Sequence, residues 1–234
     1  VTPDQIRSLY DDGYAARYDA WFLLTPDHGF QEKMRIELFT LQLLTRGVSA
    51  WLDVACGTGF FLKHGRSHGN LTVTGLDLSP AMLARAREAN PDAELIEGDF
   101  LESHQALEGR FGLVSSLWGA YGLQQSLDDV FQLIDNLTRW TAPGGTVFMP
   151  VFMPERFVAL QESGELMAGV TLDEPDGSAW TYLEPDGKCH SRVLAPPVGL
   201  LSERFSQAFE RVSIEPYPPA PGVPMAALIA RNRH

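Results

Sequence analysis

The stretch Leu52-Asp53-Val54-Ala55-Cys56-Gly57-Thr58-Gly59 sets small residues between a strand-like run and a helix-like one. Small residues let a backbone pass close to a ligand, and a helix N-terminus offers free N–H groups beside it. A dinucleotide fingerprint would place a third glycine where Leu62 stands, and Asp53 would repel a pyrophosphate. A ligand bearing positive charge suits this turn better. Asp77 follows Gly59 by 18 residues, the distance expected of a carboxylate at the next strand end that accepts from both hydroxyls of a ribose. Its competing role is a charge beside Ser79, a helix cap. A third run leads into Gly98-Asp99-Phe100, where an acid can accept from an adenine amino group while a ring packs beside the base. Ligands of open α/β sheets gather outside the carboxyl ends of the strands, so the three signals converge.

These positions require a sheet to hold them. Val48 to Val54, Leu71 to Leu76, Ala93 to Glu97, Phe111 to Ser116 and Thr146 to Phe152 are strand-like. Between them lie helix-like segments: Phe60 to His68, a run capped by Ser79 with Met82, Leu83 and Ala86 on one face, and Leu127 to Trp140, stopped by Pro143-Gly144-Gly145. Strands alternating with helices over short connections predict right-handed crossovers and a parallel sheet. Two further helix-like segments, Pro3 to Phe22 and Phe30 to Arg46, come first.

The second half reads differently. Glu174-Pro175-Asp176-Gly177 and Glu184-Pro185-Asp186-Gly187 are twin turn signatures bordering hairpin strands at Ser178 to Leu183 and Lys188 to Leu194. A helix near Gly199 to Ala208, a strand from Arg211 to Pro216, a proline-rich loop and a last strand from Met225 to Ala230 follow, the final pair adding antiparallel to the sheet. The expected fold is α/β: a Rossmann-like doubly wound, seven-stranded, mostly parallel sheet with an antiparallel last strand, N-terminal helices and a β-hairpin insertion. No low-complexity linker divides the chain. It reads as one domain, with residues 1–46 as a helical lid and 155–198 as a substrate cap.

Composition narrows the partners. The 234 residues carry a formal net charge of −12, with 18 Lys and Arg scattered and no basic patch. Such a surface repels nucleic acid and anionic membranes. Two cysteines, Cys56 and Cys189, make no disulfide framework, and no apolar run reaches the ~20 residues that span a bilayer. With no charged-then-apolar leader in view, a cytoplasmic protein acting on a small molecule is expected. His64 and His68 share a helix face, but no third ligand accompanies them, so no metal site is expected.

The run LDVACGTGFF, followed by GLDLSPAMLARAREANPDAELIEGDF, resembles the half of class I methyltransferases that binds S-adenosylmethionine (SAM). The pattern is most similar to small-molecule enzymes such as bacterial aminosugar N,N-dimethyltransferases, and the resemblance covers roughly Tyr10 to Phe157. It implies that Ala55, Gly57 and Gly59 wrap the methionine part of SAM. Asp77 would bind the ribose, Leu78 and Met82 flank the adenine, and Asp99 and Phe100 hold its amino edge and face. An N-terminal tyrosine, Tyr18 or Tyr10, would cover the cofactor. The family often has glycine in place of Ala55 and an acid in place of Gly112, the latter a structural position.

Asp53, Ser116 and Trp118 complete the candidate cofactor set, with Arg35 or its neighbour Lys33 for the SAM carboxylate. Tyr10, Tyr14, Tyr18, Trp118 and Tyr121 place rings about the expected pocket mouth, where a ring face stabilises a sulfonium by ~0.5–2 kcal/mol. Helix packing is an equal claim on the tyrosines. Methyl transfer from a sulfonium is mostly positioning, so an amine acceptor needs no dedicated base. Candidate catalytic residues are His190, on a hairpin strand with Trp180 and Tyr182, and Tyr121. The expected function is transfer of the SAM methyl to a nitrogen or oxygen of a small metabolite. Two alternatives are cyclisation of SAM's own aminobutyryl chain with release of methylthioadenosine, and a non-catalytic SAM-binding module.

Overall fold

The computed structural model describes residues 2–24, 28–66, 70–218 and 224–234. Its main sheet holds seven strands: β1 (Ala50–Val54), β2 (Thr72–Asp77), β3 (Glu94–Glu97), β4 (Phe111–Ser115), β5 (Thr141–Phe152), β9 (Phe209–Pro216) and β10 (Met225–Arg233), in the order β3-β2-β1-β4-β5-β10-β9. Strands β1 to β5 pair in parallel, and β10 enters antiparallel between β5 and β9. This is the expected seven-stranded Rossmann-like sheet. Its register brings the carboxyl ends level, with Asp53 opposite both Gly75 and Ser115, and Asp77 opposite Glu97. The three sequence signals therefore meet at one rim.

Local chemistry sets the helices. In α5 (Pro80–Ala89) the Ser79 hydroxyl accepts from the Met82 N–H at 3.2 Å, and proline fills the first position, where no donor is needed. In α6 (Leu127–Trp140) a reciprocal capping box joins Ser126 and Asp129, and Val130, Leu133, Ile134 and Leu137 form the buried stripe. That helix ends at Trp140 as expected, but β5 starts at once. Pro143-Gly144-Gly145 sits in an irregularity where pairing jumps from Phe111–Thr141 to Leu113–Thr146. The proline and glycines loop out of the strand rather than precede it.

The N-terminal segment is broken where a single helix was expected. Helix α1 (Pro3–Leu9) ends at Tyr10, and Asp11 caps α2 (Asp12–Tyr18) by accepting from Tyr14 N–H at 2.8 Å. The break frees the Tyr10 carbonyl, which accepts from Ser79 Oγ at 2.6 Å and ties the segment to the sheet rim. A wider turn at Asp19–Leu23 carries Asp19 to Thr58, whose hydroxyl donates to it at 2.6 Å. Helix α3 (His28–Leu44) follows, and the short α4 (Phe60–His64) starts just after the glycine turn.

Between β5 and the last helix lie α7 (Pro154–Ser163) and a three-stranded antiparallel sheet, β6 (Val170–Leu172), β7 (Ala179–Leu183) and β8 (Cys189–Leu194). The hairpin was expected; α7 and β6 were not. Helix α7 opens on Pro154 with no side-chain cap to announce it, and β6 is too short to show a period. Both tetrapeptides turn as expected, with Gly177 N–H donating to Glu174 O at 3.0 Å and Gly187 N–H to Glu184 O at 2.9 Å. Helix α8 (Val198–Ser206) leads into β9. One buried cluster runs from β1 across to β5 and on into Phe157, Trp180 and Val193 of the insertion.

Candidate active site

The glycine turn has three left-handed residues with different duties. Gly57, at φ +56°, has open space where a Cβ would stand and lines the cavity above the sheet rim. Ala55 lines it as well, at φ +57°. Gly59, at φ +73°, does not: a Cβ there would lie 2.5 Å from Asn90 Nδ2 and 3.0 Å from Ala86 Cβ, so it is kept small for the packing of α4 on α5. The pair predicts a dissociation of effects. Gly59→Ala should cost at least about 1–3 kcal/mol of stability through strain and collision. Gly57→Ala should cost only the strain, roughly 1 kcal/mol, while weakening cofactor binding. Thermal melts with and without SAM check both.

Asp77 lines the cavity with its carboxylate pinned. Oδ2 accepts from Gly57 N–H at 2.7 Å and Oδ1 from Ser79 N–H at 2.8 Å. Each oxygen keeps a further lone pair for a ligand hydroxyl. Leu78, Met82, Asp99 and Phe100 continue the wall, and Asp99 is steadied by Leu101 N–H at 2.9 Å. The cavity, about 360 Å³, extends under α1 and α2, where Tyr10, Tyr14, Tyr18 and Phe22 roof it. Their rings stand 5.2–6.4 Å apart in edge and tilted arrangements. The pocket role and the packing role of the tyrosines are thus one arrangement.

Besides Gly59, four expected site residues stand elsewhere. Asp53 is buried beneath the turn, where Ser115 Oγ donates to it at 2.6 Å and itself accepts from Trp51 Nε1 at 2.8 Å. Burial pushes its carboxyl up to about 7 against the pull of the Ser115 hydrogen bond. Its folded value thus lies above the ordinary 3.8, so the stability it contributes is present at acid pH and lost as pH rises through about 7. Asp53→Asn should therefore melt higher than the parent at pH 8, by a few degrees, with the gap closing towards pH 5. A gap independent of pH would contradict this role.

Ser116 is buried outside the cavity, and the next two residues take its place in the wall. Arg35 points outward on α3 and is held by Glu32 at 2.6 and 3.0 Å. Tyr121 is fully buried, its hydroxyl accepting from Phe152 N–H at 2.7 Å, so it braces β5 rather than meeting a substrate. The cation on the cavity wall is Lys33, two residues from Arg35 on the inner face of α3. Its Nζ lies 3.1 Å from Glu37 and 3.3 Å from the centre of the Trp118 ring. Trp118, at φ +56°, lines the same wall with its indole N–H buried and unpartnered. Of the histidine pair, His64 packs on Phe60 at 4.6 Å, and His68 lies outside the described residues.

Beside the tyrosine roof, Tyr14 Oη donates to Glu184 Oε1 at 2.6 Å, and His190 Nε2 lies 2.5 Å from the same oxygen. Burial, with Tyr10 and Glu184 close by, lifts the Tyr14 hydroxyl far above the ordinary phenol range, so it stays a donor. With Nε2–H directed at Glu184, Nδ1 is the ring nitrogen left to take a proton. Glu184 was missed, having been read only as a turn residue. Its twin Glu174 is 45% exposed while the Glu184 side chain is wholly buried. The difference comes from docking: Arg17 pairs with Asp186 and Lys188 Nζ donates to Leu9 O, pulling the second turn onto the N-terminal helices. No local signal separates the two turns.

Residues 52–145 match the model of a methyltransferase domain family. The chain is 29% identical over 180 residues to dTDP-3-amino-3,4,6-trideoxy-alpha-D-glucopyranose N,N-dimethyltransferase of Streptomyces venezuelae, covering 73% of this chain and 74% of that one. It is 32% identical over 175 residues to dTDP-3-amino-3,6-dideoxy-alpha-D-glucopyranose N,N-dimethyltransferase of Streptomyces fradiae, covering 71% of this chain and 65% of the relative. Residues 52–145 thus carry a methyltransferase domain, and the chain as a whole is similar to SAM-dependent small-molecule methyltransferases. A SAM-bound amino pentose methyltransferase from Micromonospora echinaspora shares the fold, with a TM-score of 0.65, 20% identity, and 92% and 96% of the two chains covered. In this chain the residues present fit the cofactor. Gly57 leaves its cradle open, Asp77 presents a fixed carboxylate at the rim, and Trp118 holds an unpaired donor in the wall.

Proposed function

We propose that the enzyme methylates a nitrogen of a small-molecule amine. The observation that carries this reading is a single cavity whose wall holds Gly57 and Asp77 and, beside the same tyrosines, His190. SAM supplies a methyl group on a sulfonium that leaves readily. Gly57, Ala55 and Asp77 hold the cofactor, Leu78, Met82, Asp99 and Phe100 seat its adenine, and Lys33 or the Trp118 indole meets its carboxylate. Tyr10 and Tyr18 roof the site and exclude water, with burial holding both hydroxyls protonated. His190, oriented by Glu184 and Tyr14, takes the proton that the amine sheds. Residues 1–46 act as lid and 155–198 as cap within one domain.

A roofed cavity in a protein of net charge −12 suits a small metabolite rather than nucleic acid. Among the described residues no helix is long and apolar enough to cross a membrane. The relatives named above transfer methyl groups, which supports this reading over SAM cyclisation or mere binding. The test uses SAM labelled with deuterium in its methyl group and a mixture of small amines and alcohols. Label recovered on nitrogen supports the assignment, and label on oxygen alone overturns it.

A further inference from the structure

We infer that the acceptor is an unphosphorylated amine with an apolar, ring-sized body, and not a nucleotide-linked sugar of the kind named for the relatives; this rests on the methyl transfer proposed above. Beyond the residues assigned to the cofactor, the cavity is walled by Leu123, Phe152, Met167, Trp180, Val193 and Met225. A nucleoside diphosphate brings two or more negative charges, which proteins meet with arginine forks, lysines or a bare helix N-terminus. Among the described residues, Lys33 is the one Lys or Arg on the cavity wall, and it is engaged with Glu37 and Trp118. All 18 Lys and Arg of the chain fall within the described residues.

The neighbouring helix start offers no substitute. Asp129 of α6 lines the cavity, Asp128 precedes it, and the capping box with Ser126 already uses the Asp129 N–H. Two carboxylates at a helix N-terminus repel an incoming anion. Arg192, on the shallow depression outside His190, is turned to Glu174 at 3.7 Å. What the wall does offer is aromatic and aliphatic surface, the amides of Gln124 and Gln125, and Trp180, whose indole N–H is buried and unpartnered. Tyr182, stacked on His190 with ring centres 6.1 Å apart, gives the acceptor a flat face beside the candidate base.

Calorimetric titration of the full chain, saturated with S-adenosylhomocysteine, separates the two substrate classes without requiring turnover. The ligands are 2-phenylethylamine and dTDP. The amine should bind at least roughly tenfold more tightly than dTDP, a difference that added salt does not create. Equal or tighter binding of dTDP would overturn the inference, as would failure of the amine to bind. Methyl transfer to nitrogen is read separately from the deuterium label. Loss of that signal would sink the reaction assignment, whereas tight dTDP binding with labelled amine product would sink the substrate class alone.

Discussion

Asp77→Ala is expected to weaken SAM binding by roughly 10²–10⁴-fold, the size of two lost charge-assisted hydrogen bonds to the ribose. The carboxylate does two jobs. Its oxygens pin Gly57 N–H and Ser79 N–H, which fixes the glycine turn against the start of α5, and their remaining lone pairs face the cavity. Alanine removes both, so the SAM-free protein should also melt lower. Asp77→Asn keeps one acceptor oxygen but turns an NH₂ towards one of the two backbone donors, and it should fall between parent and alanine variant. Calorimetric titration with SAM reads the affinity, and melts without SAM read the scaffold. An alanine variant that binds SAM as well as the parent would remove Asp77 from the cofactor site.

The second large effect is expected at His190. His190→Phe keeps a ring of similar size against Tyr182 but removes both nitrogens, and kcat/KM for an amine should drop roughly 10²-fold or more with SAM affinity unchanged. The loss should shrink at alkaline pH. A base is needed only to clear the acceptor's proton, and an amine already neutral in solution arrives without it. Glu184→Gln and Tyr14→Phe should produce smaller losses with the same pH trend, because they disturb the orientation of the imidazole rather than remove it. A deficit that stays constant with pH would make His190 a wall residue and nothing more.

The wall around the glycine turn was legible because its chemistry is local. The left-handed turn at Ala55–Gly59, the Ser79 cap and the acids at strand ends are each written within a few residues, and β-strand pairing sets them side by side. What eluded the sequence depends on long-range docking. Nothing near Glu184 distinguishes it from Glu174; its burial follows from Tyr14, 170 residues earlier. Arg35 and Lys33 are both basic and nearly adjacent, and only the rotation of α3 against Trp118 decides which one faces the cavity. Asp53 reads as a site acid by its place in the turn, yet the level register of β1 and β4 gives it to Ser115. Tyr121 follows a strand end, as site residues often do, but its hydroxyl is spent on the backbone of Phe152.

The most direct test of methyl transfer is the identity of the nucleoside left after the purified protein is incubated with SAM, alone and with small amines, by mass spectrometry. With methyl transfer as the reaction, S-adenosylhomocysteine forms only when an acceptor is present. Methylthioadenosine formed from SAM alone would contradict it, since SAM would then be the whole substrate.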